Sequence, residues 1–144
     1  MEPLSRFLEA QDANGSFERA LAELRRGRKT THWMWWVLPQ LRGLGRSEAS
    51  WRYGIVDLGE ARAYADHEVL GRRLRDAVRA LLASTVTSPE AILGTDAMKA
   101  RSCLTLFERA VPDDPLFARA LEQLFGTPDP ATLRLLRSRN DDQG

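Results

Sequence analysis

The sequence has little that could form a disulfide, a metal site or a membrane span. Cys103 is its only cysteine, which excludes an intramolecular disulfide, and we expect it to pack as a small buried hydrophobe. The two histidines, His32 and His67, lie 35 residues apart without metal-ligand spacing, so no metal is expected. No apolar run approaches the roughly 18 residues that a membrane helix needs. We therefore expect a cytoplasmic protein with no membrane contact and no cofactor.

Strand-like patterns are missing as well. No segment alternates apolar and polar residues over the length of a strand, and β-branched residues are sparse. No repeat or linker divides the 144 residues, which suffice for one core. The sequence predicts an all-α fold: a compact single-domain bundle of about seven or more helices without a significant sheet. The domain is expected to span residues 1–138, followed by a frayed C-terminal tail at 139–144.

What the sequence does contain is helical spacing with signals for helix ends. Apolar residues from Phe17 to Leu24 recur at helical intervals, and Gly27 is expected to end that helix. A longer amphipathic helix is predicted from Leu70 to Leu82. Caps that begin further helices are expected at Asp57, Ser88, Thr95 or Asp96, Asp114 and Asp129.

Charge is distributed unevenly along the chain. The net charge is only +1, but residues 19–52 hold eight Arg or Lys against two Glu, a net charge of +6. Such a local positive field attracts anions even in a nearly neutral protein. The expected partner is therefore an anion, at a site within or near this segment.

The most unusual stretch is residues 27–45, GRKTTHWMWWVLPQLRGLG, which we call the tryptophan segment. It contains three of the four tryptophans, one of the two histidines and one of the two lysines. A helix here would be apolar in every direction, hence central and buried, and Pro39 would end it near Leu38. In this interpretation at least two of the three tryptophans fill the core.

The polar neighbours of these tryptophans favour a second interpretation, the wall of a binding pocket. His32 and Gln40 adjoin the indoles, and a buried polar group must be paired with protein, water or ligand. Lys29 and several arginines flank the segment. Flat aromatic walls with basic edges suit a planar anionic molecule such as a nucleotide. The two interpretations do not exclude each other, and we expect the segment to serve both.

Two other places carry candidate site residues. Lys99, Ser102 and Thr105 follow Asp96 at intervals of three on one predicted helix. They form either a surface row or a polar seam that faces the tryptophans. His67 lies between two predicted helices, either as a helix boundary or as part of a site.

Several motifs resemble one known family. The runs FERALAELRRGRKTTHWMWWVLPQLRGLGRSEAS, LGEARAYADHEVLGRRL, ILGTDAMKARSCLTLF and FGTPDPATL are similar to the DUF1810 family, a domain of unknown function often mislabelled calpastatin. The resemblance covers residues 4–136 and implies a compact, mainly helical single domain with no established activity. The motif positions of the family correspond here to Gln11, Lys29, His32, Trp33, Trp35, Pro39, Gln40, Gly43, Gly45, Tyr53, His67, Lys99, Ser102 and Thr105.

We expect these residues to bind a nucleotide-like or other anionic small molecule. His32 and Lys99 are the catalytic candidates, acting on protons or on anionic charge, because imidazole is the usual general acid or base near neutral pH. The candidate ligand contacts are Lys29, Trp33, Trp35, Gln40, Tyr53, His67, Ser102 and Thr105. Whether the protein is an enzyme stays open at this point.

Two other functions remain as alternatives. A nucleic-acid-binding module would use the basic segment 19–52 together with Trp51, because aromatics beside arginines suit single-strand stacking. This alternative is less favoured, since the total charge is near zero and a buried tryptophan cluster leaves few aromatics exposed. The third possibility is a protein-interaction or structural domain without catalysis, for which a large exposed apolar patch would be the sign.

Overall fold

Helices account for nearly all of the regular structure. The computed structural model describes residues 4–84 and 88–143, and side chains up to residue 139. Its α-helices are α1 Ser5–Asp12, α2 Ser16–Arg26, α3 Met34–Val37, α4 Glu48–Arg52, α5 Leu58–Asp66, α6 Glu68–Ala83, α7 Pro89–Leu93, α8 Ala97–Ala110, α9 Pro115–Leu124 and α10 Pro130–Gln143. Within these residues the only extended pairing is an isolated bridge between Leu41 and Ile55. The predicted all-α class is confirmed.

Most of the predicted helix ends are where the sequence signals indicated. Gly27 follows α2 with φ of 81°, a left-handed conformation that glycine adopts without strain. The first-turn N–H groups of α5, α7, α9 and α10 donate to the predicted capping side chains, which are Asp57, Ser88, Asp114 and Asp129. Local signals alone therefore fix most of the boundaries.

The C-terminal boundary is only partly described. Helix α10 is described as far as Gln143, whereas Gly144 lies outside the described residues. The predicted frayed tail at 139–144 therefore stays a prediction. None of the described helices combines the length and the apolar character needed to cross a bilayer.

The core lies where α8 packs against α5 and α9, and α6 against α2, α5 and α9. Aromatic rings run through it in a chain. Tyr64 meets Phe7 edge-on at a centroid distance of 5.1 Å and Phe107 at 5.5 Å, and Phe107 meets Phe117 at 5.7 Å. Cys103 is fully buried beside this chain, and burial raises the pKa of its thiol. The expectation that Cys103 packs as a buried hydrophobe is confirmed.

A buried amide connects the N-terminal helix to this core. The Gln11 side chain donates to the Trp36 carbonyl oxygen at 2.7 Å and to the Tyr64 hydroxyl oxygen at 2.9 Å. Its own amide oxygen accepts from the Arg73 guanidinium at 3.2 Å. Because every polar atom of the amide is paired, Gln11 fixes α1 and the tryptophan segment against α5 and α6 at little desolvation cost.

Helices α5 and α6 approach closely at Gly71. A Cβ atom at this position would lie 2.1 Å from the Ala65 carbonyl oxygen. The Arg75 guanidinium donates to the carbonyl oxygens of both Ala65 and Gly71, at 2.8 and 3.1 Å. The corner between the two helices therefore requires a residue without a side chain.

Candidate functional site

A cleft lies between the tryptophan segment and the N-terminal end of α8. Its volume is about 140 Å³, and its lining residues are Lys29, His32, Trp33, Met34, Trp35, Asp96 and Lys99. We call this group the lysine–tryptophan cleft. Both catalytic candidates, His32 and Lys99, meet here with three of the candidate ligand contacts. Of the row on α8, Asp96 and Lys99 lie beside the tryptophan segment at this end of the helix.

The only two lysines of the chain converge on one carboxylate in the cleft. The Lys29 Nζ atom lies 3.0 Å from Asp96 Oδ2, and the Lys99 Nζ atom lies 3.0 Å from Asp96 Oδ1. Each ammonium also lies 5.1 Å from the centre of an indole ring, Lys29 over Trp33 and Lys99 over Trp35. Two cation–π contacts and a shared counterion hold both charges in place.

Asp96 is ionised in this arrangement. Burial by itself would raise the pKa of its carboxyl group, but the hydrogen bonds and charges of Lys29 and Lys99 outweigh burial and lower the pKa below its ordinary value. Asp96 occupies the N-cap position of α8, yet its side chain makes no capping hydrogen bond. The sequence offered Asp96 as one of two possible caps. Its carboxylate instead pairs with the two lysines and leaves the helix end uncapped by a side chain.

A second carboxylate, Glu23 of α2, organises the loop that carries Lys29 and His32. Its Oε1 atom accepts from the backbone N–H groups of Thr30 and Thr31 at 2.7 and 3.0 Å, and from the Trp33 indole N–H at 2.9 Å. Its Oε2 atom accepts from the Thr31 hydroxyl at 2.6 Å. Glu23 is only 2 % exposed. One buried side chain thus determines the path of residues 30–33.

The hydrogen bonds to Glu23 dominate its titration. Burial alone would raise the pKa of this carboxyl group, but the donors from Thr31, Trp33 and Thr30 lower it to about 2. The group therefore stays ionised near neutral pH and loses its charge only as the pH approaches 2. Sequence reasoning missed Glu23, although one signal existed, since this acidic residue falls on the same helix face as Ala20 and Leu24.

A backbone contact then brings Lys29 to Asp96. After Gly27 ends α2, the Lys29 N–H donates to the Ile92 carbonyl oxygen in α7 at 2.8 Å. Since α7 ends shortly before Asp96, this bond places the Lys29 side chain beside the start of α8. Two segments far apart in sequence thereby build one site.

The three tryptophans of the segment divide between core and cleft. Only one helical turn forms, α3, and it ends before Leu38 as expected from Pro39. Trp33 is fully buried, while Trp36 is half-buried, packs against the core and donates to the Ser16 hydroxyl at 2.8 Å. Trp35 is half-buried and forms part of the cleft wall. The segment thus contributes to both the core and the cleft.

Ser102 and Thr105 lie on α8 but do not line the cleft. The Ser102 hydroxyl donates to the Met98 carbonyl oxygen at 3.1 Å, and the Thr105 hydroxyl donates to the Arg101 carbonyl oxygen at 2.8 Å. Thr105 also accepts from the Asp129 N–H at 2.9 Å, which connects α8 to the start of α10. Both hydroxyls therefore have structural partners.

The other three candidate contacts lie elsewhere in the fold. The Gln40 carbonyl oxygen accepts from the Ile55 N–H, and the residue is buried. Tyr53 packs edge-on against Trp36 at a centroid distance of 5.2 Å. The His67 Nδ1 atom accepts two backbone N–H groups at 3.1 and 3.2 Å and so caps α6. His67 thus has the helix-boundary role that the sequence left as one alternative.

Size alone does not single out the cleft. A larger and more open depression of about 700 Å³ lies beside α5, α8 and α9, where Arg62, Arg75 and Asp114 contribute to the lining. The two arginines there already donate to a carbonyl oxygen and a carboxylate. Among the described residues no group of three or more His, Cys, Asp or Glu is placed to hold a metal ion. The lysine–tryptophan cleft is therefore distinguished by its chemistry.

Comparison with known proteins identifies the family. A family model described as "Protein of unknown function (DUF1810)" matches residues 1–136. The crystal structure of the conserved hypothetical protein Rv1873 from Mycobacterium tuberculosis is similar, with 42% sequence identity and a TM-score of 0.89; the match covers 93% of this chain and 96% of that chain. No curated protein matches the chain. The resemblance found in the sequence motifs is confirmed.

Proposed function

The chain belongs to the DUF1810 family, and we propose that it binds a small anionic molecule in the lysine–tryptophan cleft. The observation that carries this proposal is the convergence of the only two lysines, each over an indole ring, on the single carboxylate of Asp96. A fold by itself does not define a function, so the proposal depends on the chemistry of these side chains.

The two ammonium groups retain unused donors. Lys29 donates to Asp96 and to the Thr31 carbonyl oxygen at 2.7 Å, and Lys99 donates to Asp96. An ammonium has three N–H groups, and the described residues supply no further acceptor to either lysine. One donor of Lys29 and two of Lys99 are therefore left for a ligand. Two positive charges against one negative charge also give the cleft a net attraction for anions.

The size of the cleft restricts the ligand. Pockets that enclose a whole drug-sized molecule measure roughly 300–1,000 Å³, whereas this cleft measures about 140 Å³. It suits one phosphate or carboxylate group, with the remainder of the molecule outside. The half-buried Trp35 offers an indole surface at the same site, on which a planar ring could stack. A nucleotide bound through its phosphate end fits this description.

The proposal is one of binding and not of covalent chemistry. Among the lining residues that are described, no hydroxyl or thiol nucleophile lies beside a base. His32 is exposed at the rim and is the lining residue suited to exchange a proton with a bound ligand.

The scarcity of lysine provides a direct test. Protein labelled with ¹³C only in lysine gives side-chain signals from Lys29 and Lys99 alone, which single substitutions assign. Inorganic phosphate, pyrophosphate, AMP and ADP are titrated separately while these signals and tryptophan fluorescence are recorded. We expect both lysine signals to shift with the same saturation curve. Shifts that are absent, or that follow only ionic strength, would overturn the proposal.

A Lys99→Gln substitution should weaken binding of the best ligand in this panel by about tenfold or more, because a charge-assisted hydrogen bond contributes about 1.5–3 kcal/mol. Arg119→Gln is the matched control, since Arg119 is an exposed cation on α9 and does not line the cleft. Isothermal titration calorimetry measures both variants. Equal losses of affinity in the two variants would show that only the net charge of the protein matters, which would contradict a specific site.

Asp96→Asn should have the opposite effect on binding. Removing the carboxylate removes the internal competitor for both ammonium groups and one negative charge, so the same ligand should bind about three- to tenfold more tightly. The melting temperature should fall, because two buried or half-buried lysines lose their counterion. Calorimetry and thermal denaturation measure the two effects, and a loss of binding would show instead that Asp96 is needed to position the lysines.

A further inference from the structure

The fourth tryptophan is the most exposed large apolar residue described. Trp51, in α4, is 65 % exposed. The Arg42 guanidinium lies 4.5 Å from the centre of its ring, and Arg42 Nε donates to the Trp51 carbonyl oxygen at 2.7 Å. The guanidinium therefore lies against the indole while most of the surface of Trp51 stays in contact with water.

Three further arginines lie on the segment that carries this indole or contact it. Arg46 precedes α4, Arg52 lies within it with its guanidinium 5.5 Å from the centre of the Tyr53 ring, and the Arg139 guanidinium donates to the Arg42 and Val56 carbonyl oxygens. In the described part of the chain, none of Arg42, Arg46, Arg52 and Arg139 forms an ion pair with a carboxylate. Burial and the nearby charge of Arg42 lower the pKa of Arg139, although Asp57 partly opposes this. We call this group of arginines with Trp51 the Trp51 surface.

We propose that the Trp51 surface binds single-stranded nucleic acid, with a base stacked on the indole and phosphates paired with the arginines. An exposed indole offers a flat face that any unpaired base can stack on, and neighbouring guanidinium groups can pair with the phosphate backbone. An acidic peptide would use the charges but leave the indole without a partner, and a duplex would keep its bases within its own stack. The combination of the two features therefore favours a single strand.

This surface is separate from the proposed cleft. Its residues come from the segment 42–52 and from α10, and none of them lines the lysine–tryptophan cleft. The sequence made nucleic acid the less favoured partner for two reasons: the total charge is near zero, and buried tryptophans would leave few aromatics exposed. The exposure of Trp51 removes the second objection for this one position.

The experiment uses the full chain and a short fluorescein-labelled oligo(dT), followed by fluorescence anisotropy between about 50 and 200 mM salt. We expect saturable binding that weakens steeply as salt rises. Trp51→Ala should weaken binding by about tenfold, whereas Trp51→Phe should retain most of it because a ring remains. Arg42→Gln should reduce the slope of log K against log salt by roughly 0.7. Met98→Ala, which truncates another exposed apolar side chain, is the control and should bind as the wild type.

Three results would overturn the proposal. They are no binding at low salt, equal affinity for a DNA duplex of the same length or for polyglutamate, and a Trp51→Ala variant that binds as tightly as the wild type. Circular dichroism of each variant verifies folding, and since Trp51 is exposed we expect none to unfold. Lys99→Gln should leave oligo(dT) binding within about twofold, because one charge outside the surface contributes little at moderate salt. The outcome of this experiment is thus distinguishable from that of the cleft titration.

Discussion

Glu23→Ala should lower the free energy of unfolding by about 4 kcal/mol. The substitution leaves four donors without their acceptor: two backbone N–H groups, the Thr31 hydroxyl and the indole N–H of the buried Trp33. A buried donor without a partner costs about 1–3 kcal/mol, and water entering the vacated space recovers part of the sum. Urea denaturation followed by circular dichroism measures the loss.

Glu23→Gln is the matched control, because it keeps the shape and removes the charge. Its amide oxygen can still accept from the N–H groups of Thr30, Thr31 and Trp33, so we expect a loss of only about 1–2 kcal/mol. Equal losses for the alanine and glutamine variants would show that charge alone matters. A loss below about 1 kcal/mol for alanine would contradict the organising role of Glu23.

The free energy of unfolding of the wild type should depend on pH in a way that Glu23→Gln does not share. The pKa of Glu23 falls from an ordinary 4.5 to about 2 in the folded protein, so the unfolded chain binds the proton more tightly. The resulting stabilisation, roughly 3 kcal/mol at most, is complete above about pH 5 and is lost as the pH falls toward 2. Glu23→Gln should lack this part of the acid dependence. Parallel stability curves for wild type and variant between pH 5 and 2 would contradict it.

Gly71→Ala should lower the free energy of unfolding by about 2–3 kcal/mol. Alanine normally stabilises a helix interior relative to glycine by up to about 1 kcal/mol, but here the new Cβ would lie 2.1 Å from the Ala65 carbonyl oxygen. Since that neighbour is backbone, the corner between α5 and α6 must open, and the Arg75 hydrogen bonds to Ala65 and Gly71 weaken with it. Chemical denaturation measures the effect.

Gly59→Ala serves as the control for Gly71→Ala. Gly59 lies in α5, is exposed, and a Cβ there would approach only the Asp57 carboxylate at 3.3 Å. We expect its effect to stay within about 1 kcal/mol of zero. If both alanine variants behave alike, the close approach of the two helices at Gly71 does not limit stability.

Much of the fold is readable from the sequence because its determinants are local. Capping at Asp57, Ser88 and Asp114 needs only the next few residues, and the same is true of the glycine stop at Gly27. The chemistry of the tryptophan segment was likewise visible, since rare residue types crowd together there. Such features depend on neighbours within one or two helical turns.

The organisation of the site was less readable, because it depends on contacts between distant segments. Asp96 has the spacing of a helix cap, and only its approach to Lys29 converts it into a counterion for two lysines. Glu23 acts on residues beyond the end of its own helix. Thr105 was predicted as a ligand contact, and its hydroxyl also accepts from the Asp129 N–H at the start of α10, a partner that the sequence did not indicate. Local sequence patterns do not specify these contacts between distant segments.

The pairing of Lys29 and Lys99 has a consequence for the covalent labelling of this protein. Every side-chain amine of the chain lies in one cleft, and the side chain of Lys29 is only 9% exposed against 30% for Lys99. An acylating reagent that targets the side-chain amines of the folded protein would therefore reach Lys99 first. Acylation of the Lys99 amine would neutralise the ammonium and fill part of the cleft, so one modification would both label the cleft and obstruct it.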